Sequence, residues 1–93
     1  MKDAPTADKR ALESIGKRVR RQRGTRTQVA VATAARIDQS KLSRIETGDY
    51  PAITPALVLR LAVALDCDPS DLIGGLDEIA VIARFEAERA GAA

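Results

Sequence analysis

Apolar residues recur along this chain at the spacing of amphipathic helices, and capping residues or glycines separate one apolar stripe from the next. Leu12, Ile15 and Val19 form the first stripe, whose i, i+3, i+7 spacing places the three side chains on one face of a helix. No segment alternates apolar and polar residues as a half-exposed β-strand does. The pattern therefore predicts an all-helical protein.

Residues that favour the ends of helices divide the chain into five or six predicted helices. Thr6 can cap a first helix that runs to about Arg23. The other predicted helices run from Gln28 to Ala35 after the cap Thr27, from Gln39 to Thr47 after the cap Asp38, from Pro55 to Leu65 after the cap Thr54, from Pro69 through Ile73 after Asp68, and from Asp77 to about Arg89.

The helix predicted from Pro55 to Leu65 carries apolar side chains on nearly all sides. Leu59 and Val63 lie opposite its main stripe, which consists of Leu57, Val58, Leu61 and Leu65. A helix that is apolar all round is usually buried on both sides. We therefore expect this helix to lie between two layers of the fold.

The composition fits one small helical domain and excludes several classes of site. The chain has 93 residues, of which 45% are apolar and only two, Tyr50 and Phe85, are aromatic. It contains no histidine, so neither a Ser-His-Asp triad nor an imidazole metal site can form. Its single cysteine, Cys67, allows neither an intrachain disulfide nor a thiolate zinc cluster. The sequence therefore predicts no catalytic residue, no metal site and no cofactor.

Charge is distributed unequally between the two halves of the chain, although the net charge is only +2. Met1 to Gly48 contains 12 basic and 5 acidic residues, a net charge of +7. Asp49 to Ala93 contains 3 basic and 8 acidic residues, a net charge of −5. The basic half is typical of a surface that meets a polyanion.

Two short helices in the basic half have the spacing of a helix-turn-helix. About three residues join the predicted helix that ends at Ala35 to the one that begins at Gln39. The apolar residues that would hold the two helices together are Val31, Ala32, Ala35, Ile37, Leu42 and Ile45. In this motif the second helix enters the major groove of DNA. The segment therefore predicts a surface that binds double-stranded DNA.

A wider set of residues, spread from Ile15 to Ile73, has the types and spacing of one known family. They are Ile15-Gly16-Lys17-Arg18-Val19, Arg23, Thr27-Gln28, Val31-Ala32, Ile37, Leu42-Ser43-Arg44-Ile45-Glu46, Gly48, Leu61-Ala62, Leu65 and Asp71-Leu72-Ile73. With them the chain resembles the lambda-repressor-like, Cro-type (XRE) DNA-binding domain. The resemblance implies a compact five-helix domain, here followed by an additional C-terminal helix. One departure is Arg36, in the turn where the family usually has glycine.

The outward face of the second motif helix supplies the candidate base contacts. A helical wheel at about 100° per residue puts Ser40, Ser43, Arg44 and Thr47 opposite the apolar pair Leu42 and Ile45. The resemblance implies base contacts from Gln39, Ser40, Ser43 and Arg44. Because Gln can pair bidentately with adenine and Arg with guanine, this face suits the major groove. A polar face that merely meets solvent is the alternative.

Candidate phosphate contacts surround that face. The resemblance implies one from Gln28, at a helix N-terminus where backbone N–H groups also favour an anion, and a solvated glutamine is the alternative. The other candidates are Lys17, Arg18, Arg20, Arg21, Arg26, Lys41, Thr47 and Tyr50. The basic ones would add affinity without sequence choice, or form a solvated basic face. For Tyr50 the alternative is a packing residue with an exposed hydroxyl.

Two charged residues fall on the buried sides of their helices. Arg23 lies close to the apolar stripe of the first helix, and Glu46 lies toward the buried side of the second motif helix. An unpaired charge is costly in such a position. We expect Arg23 and Glu46 to pair with each other, as the corresponding residues do in the family.

Three regions are predicted along the chain: a flexible N-terminal arm at residues 1–8, a DNA-binding domain at 9–74 and a C-terminal helix at 75–93. The last helix presents apolar side chains that need a cover. The expected homodimer interface consists of Leu76, Ile79, Ile82 and Phe85. The helix could instead pack back on its own domain. A dimer would suit DNA because it reads two half-sites about 34 Å apart.

These features favour a bacterial or phage transcriptional regulator, repressor-like, that binds a palindromic operator as a homodimer. The alternative is an antitoxin of the same fold, which would bind a toxin protein through its C-terminal segment and regulate its own operon. A third hypothesis, an adaptor that has lost DNA binding, conflicts with the basic half and the polar helix face.

The N-terminal residues lack the apolar core of a signal peptide, and no apolar run reaches the length of a membrane span. We therefore expect a cytoplasmic protein with no enzymatic activity and no membrane association.

Overall fold

Four α-helices and a short turn make up most of the computed structural model, which describes residues 7–75, 78–80, 82–83 and 86–87. The helices are α1 (Ala7–Arg23), α2 (Gln28–Ala35), α3 (Gln39–Thr47) and α4 (Pro55–Leu65). A 3₁₀ turn follows at Pro69–Asp71, and the described residues beyond 77 are helical. All regular structure in the described residues is helical, which confirms the predicted all-helical fold class.

Capping residues begin the helices where the sequence places them. The hydroxyl of Thr27 accepts a hydrogen bond of 3.0 Å from a backbone N–H in the first turn of α2. The hydroxyl of Thr54 accepts one of 3.1 Å in the first turn of α4. Asp38 stands at the N-cap of α3, but its carboxylate makes no capping hydrogen bond. The cap expected at Thr6 lies outside the described residues.

Each of the four helices is followed by a residue with a positive φ, which after α1 is Gly24 at 60°. Gly48, after α3, has a φ of 82°, which glycine adopts without strain. Arg36, after α2, has a φ of 62°, and Asp66, after α4, has a φ of 57°. A side chain in this conformation costs about 1 kcal/mol relative to glycine. The turn between α2 and α3 therefore carries backbone strain at Arg36.

The core lies between the four helices, where their apolar stripes meet. Helix α1 packs on α3, and α2 packs on both α3 and α4. The largest fully buried side chains are Ile15, Val19, Val31, Leu42, Ile45, Ile53, Leu61 and Leu72. The core also contains Leu12, Ala32, Ala35, Leu57, Val58 and Leu65, so the stripes predicted for α1, α2, α3 and the inner side of α4 are buried.

Gly16 allows the close approach of α1 to α3. A Cβ atom at this position would lie only 2.6 Å from the carbonyl oxygen of Glu46 and closer still to that of Ile45. Real Cβ atoms do not come this near to a backbone oxygen, so a larger residue would push the helices apart. The backbone of α1 thus rests directly on the last turn of α3.

The outer side of α4 is exposed, so the expectation that this helix lies between two layers is wrong. Leu59 and Val63 are 55% and 81% exposed. At about 100° per residue both lie roughly 200° from the buried Leu61, on the side of the helix away from the core. A ridge of apolar side chains thus faces outward from α4.

The segment after α4 is shorter than predicted. The helix expected from Pro69 through Ile73 is a single 3₁₀ turn that ends at Asp71. The N–H groups of Leu72 and Ile73 both donate to the Pro69 carbonyl, at 2.9 and 3.1 Å. Leu72, which follows the turn, has its side chain buried in the core.

The described part of the C-terminal helix packs back on its own domain through Ile82. This side chain, which was expected in the dimer interface, is 5% exposed and belongs to the core cluster of its own domain. Ile79, on the same helix, is 48% exposed. Leu76 and Phe85, also expected in the interface, lie outside the described residues.

None of the helices in the described part is long and apolar enough to cross a membrane.

Candidate nucleic-acid interface

Helix α3 presents a polar side away from the core. Its two large apolar side chains are buried, which fixes the rotation of the helix. Gln39, Ser40, Arg44 and Thr47 are exposed, and Ser43 is half-buried. The structure therefore places the four candidate base contacts on one helix whose opposite side is anchored.

A bidentate ion pair between Arg23 and Glu46 joins α1 to α3. Arg23 Nε donates to Glu46 Oε2 at 2.7 Å, and Nη2 donates to Oε1 at 2.9 Å. The side chains are 16% and 5% exposed, respectively. Two parallel hydrogen bonds between ionised groups are stronger and more directional than a single contact. The two residues on the buried sides of their helices are thus each other's partners.

The surroundings keep both members of this pair charged. Burial raises the pKa of Glu46, but the hydrogen bonds from Arg23 and Gln28, together with the charges of Arg23 and Arg20, outweigh it and hold this pKa below its ordinary value. The hydrogen bond to Glu46 likewise raises the pKa of Arg23. The pair is therefore ionised throughout the neutral pH range.

Two glutamines extend this pair to the exposed side of α3. Gln28 Nε2 donates to Glu46 Oε1 at 3.0 Å, and Gln39 Nε2 donates to Gln28 Oε1 at 2.6 Å. One N–H of the Gln39 amide is used in this bond, which leaves its Oε1 and second N–H for an adenine edge. The family resemblance predicts both glutamines as DNA contacts, but the sequence does not reveal the hydrogen bond between them.

The loop after α3 adds a second cluster, centred on Tyr50. This side chain is half-buried and packs against the core. Lys41 Nζ and Arg44 Cζ each lie 5.4 Å from the centroid of its ring. Both distances are within the range of cation–π attraction. Tyr50 therefore holds two cationic side chains of α3 beside the candidate interface.

Asp49 links the end of α3 to α1. Its Oδ1 accepts a hydrogen bond of 2.7 Å from Lys9 Nζ, and its Oδ2 accepts one of 3.1 Å from the Thr47 hydroxyl. These two bonds, chiefly that from Lys9, hold the pKa of Asp49 below its ordinary value. The hydroxyl of Thr47, a candidate phosphate contact, is thus engaged within the protein.

Arg26, another candidate phosphate contact, is exposed but makes hydrogen bonds within the protein. Its Nη2 donates to the carbonyl of Gln22 at 2.8 Å and to that of Leu65 at 3.2 Å. Its Nη1 and Nε donate to the carbonyls of Ala64 and Arg23, at 3.4 and 3.3 Å. The guanidinium therefore satisfies carbonyl groups at the C-terminal ends of α1 and α4, where a cation is favoured.

Arg18 is also turned away from the candidate interface. It lies about 200° around α1 from Gly16, the residue that touches α3. Its Nε is 3.8 Å from Oε2 of Glu78, whose side chain is only 7% exposed. Glu78 also accepts a hydrogen bond from the Gly75 N–H. Arg18 thus forms an ion pair with the C-terminal helix, whereas Lys17 and Arg21 are exposed on α1.

Comparisons with known proteins agree with this geometry. Residues 15–72 match the family model described as a helix-turn-helix domain. The chain is also similar to the crystal structure of the restriction-modification controller protein C.AhdI from Aeromonas hydrophila, at 30% sequence identity and a TM-score of 0.61. The similarity covers 66% of this chain and 94% of that protein. No curated protein sequence matches the chain.

The matched residues include α2, α3 and the turn between them, together with the part of α1 and the whole of α4 that pack on them. They also include the ion pair and the two glutamines described above. The chain therefore belongs to the helix-turn-helix domain family, in its Cro/XRE-like, DNA-binding form.

Proposed function

We propose that this protein is a sequence-specific transcriptional regulator, repressor-like, that places α3 in the major groove of double-stranded DNA. The observation that carries this proposal is the position of Gln39: exposed, yet bound through Gln28 to the buried Arg23–Glu46 pair. A side chain held in place before binding loses less conformational entropy when it meets its target. The polar side of α3 is thus built for recognition rather than for solvation alone.

The contacts divide into two groups by chemistry. Gln39, Ser40, Ser43 and Arg44 would read base edges, because they lie on the polar side of the helix that enters the groove. The groups that would meet phosphates are Gln28, Lys17, Arg21 and Lys41. Phosphate contacts fix the register of the protein on DNA, and base contacts choose the sequence.

Arg44→Ala is the test of base reading. Specific binding should weaken by about 1 to 3 kcal/mol, and the loss should appear at one position of the operator, as expected for a bidentate contact with guanine. Affinity for random DNA should change much less. An equal loss on both DNAs would show that Arg44 contacts a phosphate, and an unchanged operator affinity would remove it from the interface.

We further propose that the protein binds a palindromic operator as a homodimer, because one α3 reads only a few base pairs. The exposed apolar residues Leu59, Val63 and Ile79 supply a surface for the second subunit. Beside them lies an apolar hollow of about 310 Å³, lined by Leu59, Ile79 and Ile73 among others. In a two-fold interface the ridge of one copy faces the same surface of the other, so a ridge beside a hollow can be self-complementary.

Sedimentation of purified variants tests this interface. Val63→Ser should weaken self-association, because it removes apolar area from the ridge. Val29→Ser is the matched control, since Val29 is 61% exposed but lies on α2. A wild-type protein that stays monomeric at micromolar concentration, or a dimer that Val29→Ser weakens as much as Val63→Ser does, would contradict the assignment.

A second candidate function is that of a regulator which also binds the product of a linked gene, as an antitoxin binds its toxin. The exposed ridge on α4 favours it, because another protein could cover this surface in place of a second copy. Similarity to a restriction-modification controller protein extends the candidates to control of such genes. Titration with the purified product of an adjacent gene distinguishes the cases: binding that Val63→Ser abolishes supports a partner protein, and no binding favours a plain regulator.

A further inference from the structure

Tyr50 lies in the loop that follows α3, outside the two helices of the motif. We propose that Tyr50 is a positioning residue for Arg44 and thereby fixes which base pair Arg44 reads, a role that rests on the DNA-binding function proposed above. Tyr50 itself would touch no base. Its ring would act by holding the guanidinium in one place before DNA arrives.

The ring is well placed to do this. Tyr50 is half-buried and packs against the core, so its position is fixed by the fold rather than by the loop alone. The guanidinium carbon of Arg44 lies 5.4 Å from the ring centroid. A planar guanidinium is attracted to an aromatic face and can still donate hydrogen bonds from its edge. This attraction therefore orients Arg44 without using its recognition groups.

A backbone carbonyl holds the same side chain from a second direction. Arg44 Nη2 donates to the carbonyl oxygen of Asp49 at 3.0 Å, and the N–H of Asp49 donates back to the Arg44 carbonyl at 2.8 Å. Asp49 is in turn bound through its carboxylate to Lys9 at 2.7 Å. The carbonyl is thus a fixed point, set by helix α1 and by the last turn of α3.

These contacts restrain Arg44 but do not use all of its hydrogen-bond donors. Its guanidinium has five N–H groups, and the bond to Asp49 uses one of them. A bidentate contact with guanine O6 and N7 needs two more. Without the ring, Arg44 would sample neighbouring bases and phosphates. Loss of the ring should therefore lower discrimination at one base pair more than it lowers total affinity.

Lys41 supplies an internal comparison, because its Nζ lies at the same distance of 5.4 Å from the ring. A Lys ammonium is a compact charge suited to a phosphate, whereas Arg carries the planar fork that reads a base. If Tyr50 acted through Lys41, its loss would lower affinity for all DNA sequences alike. The two routes therefore predict different binding profiles.

The experiment uses the full chain and an operator first selected by the wild-type protein from random double-stranded DNA. Dissociation constants are then measured for this operator and for each single-position variant of it. Tyr50→Phe, which keeps the ring, should match the wild type. Tyr50→Leu, which keeps apolar bulk, should lose about 2- to 10-fold in discrimination at the position that Arg44 reads. In an Arg44→Ala background the same substitution should cause no further loss at that position.

Several outcomes would overturn this role. One is a Tyr50→Leu protein with unchanged base preference, and another is coupling to Lys41→Ala but not to Arg44→Ala. If Tyr50→Leu does not fold, the wild-type chain still gives an answer by NMR. The side-chain protons of Arg44 should show ring-current shifts in the free protein, and shifts at random-coil values would contradict the proposal. A wild-type protein that selects no DNA site would instead refute the proposed function.

Discussion

The side-chain amide of Gln39 donates a 2.6 Å hydrogen bond to Oε1 of Gln28 and so ties the first residue of α3 to the first residue of α2. Gln28 in turn donates to the buried carboxylate of Glu46 at 3.0 Å. A polar chain therefore runs from the ion pair between α1 and α3 to the exposed side of α3. Glu46 serves both the stability of the fold and the order of the interface.

Replacement of Glu46 by alanine should destabilise the protein by about 3 to 5 kcal/mol, because it leaves the guanidinium of Arg23 largely buried without its partner. Urea unfolding followed by circular dichroism measures the change. Glu13→Gln is the control, since Glu13 makes only an exposed contact of 3.9 Å with Lys9 and should cost less than about 1 kcal/mol. An equal, small loss in both variants would show that the Arg23–Glu46 pair does not stabilise the fold.

Acid should remove the contribution of this pair. The pKa of Glu46 in the folded protein lies below its ordinary value of 4.5, so the unfolded chain binds a proton first as the pH falls. The stabilisation is fully present above that ordinary value and is lost as the pH falls through the lower, folded pKa. The difference in unfolding free energy between the wild type and Glu46→Gln should accordingly be constant near neutral pH and shrink below about 4.5. A difference that does not depend on pH would contradict this linkage.

Substitution of Arg26 should separate structural from DNA-binding arginines. Arg26→Ala should lower the free energy of unfolding by on the order of 1 kcal/mol, because carbonyl groups at the ends of α1 and α4 lose a charged donor. The salt dependence of DNA binding should stay the same. Arg21→Ala, on the exposed side of α1, should behave in the opposite way: unchanged stability and a salt slope smaller by about 0.9. A reduced slope in Arg26→Ala would return this residue to the phosphate contacts.

The turn of the motif should become more stable when its strain is removed. Arg36→Gly should raise the free energy of unfolding by about 1 kcal/mol, because the residue has a φ of 62° that glycine adopts freely. Thr33→Gly, within α2, should have the reverse effect by a few tenths of a kcal/mol, since glycine is a poorer helix former than threonine. Thermal and urea unfolding of both variants measure the changes. Destabilisation by Arg36→Gly would show that contacts of the arginine side chain outweigh its backbone strain.

Local signals in the sequence are enough to predict where these helices begin and end. Caps such as Thr27 and Thr54, and the glycine after α3, act through hydrogen bonds within one helical turn, so the bounds of α2, α3 and α4 could be predicted. The predictions are wrong where packing between residues that are far apart in the chain decides which side chains are buried. Leu59 is as apolar as the buried Leu57 and Leu61 of the same helix, and nothing in its spacing shows whether another layer covers it.

The candidate interface likewise contains features that the sequence predicts and features that only the structure reveals. The polar side of α3 follows from helical periodicity, and the pairing of Arg23 with Glu46 follows from their positions on buried sides together with the family resemblance. The role of Arg26 could not be predicted, because two of the carbonyls that it binds lie 38 and 39 residues further along the chain. The same holds for Lys9 and Asp49, which are 40 residues apart.

Selection of binding sites from a library of random double-stranded DNA is the decisive test of whether α3 reads DNA, because it measures sequence choice and site symmetry together. A homodimer that reads DNA with α3 should enrich a two-fold symmetric site whose half-sites are one helical turn, about 34 Å, apart. Arg44→Ala should select a site with one relaxed position in each half. A library that shows no enrichment with the wild-type protein at moderate salt would contradict the claim that α3 reads DNA.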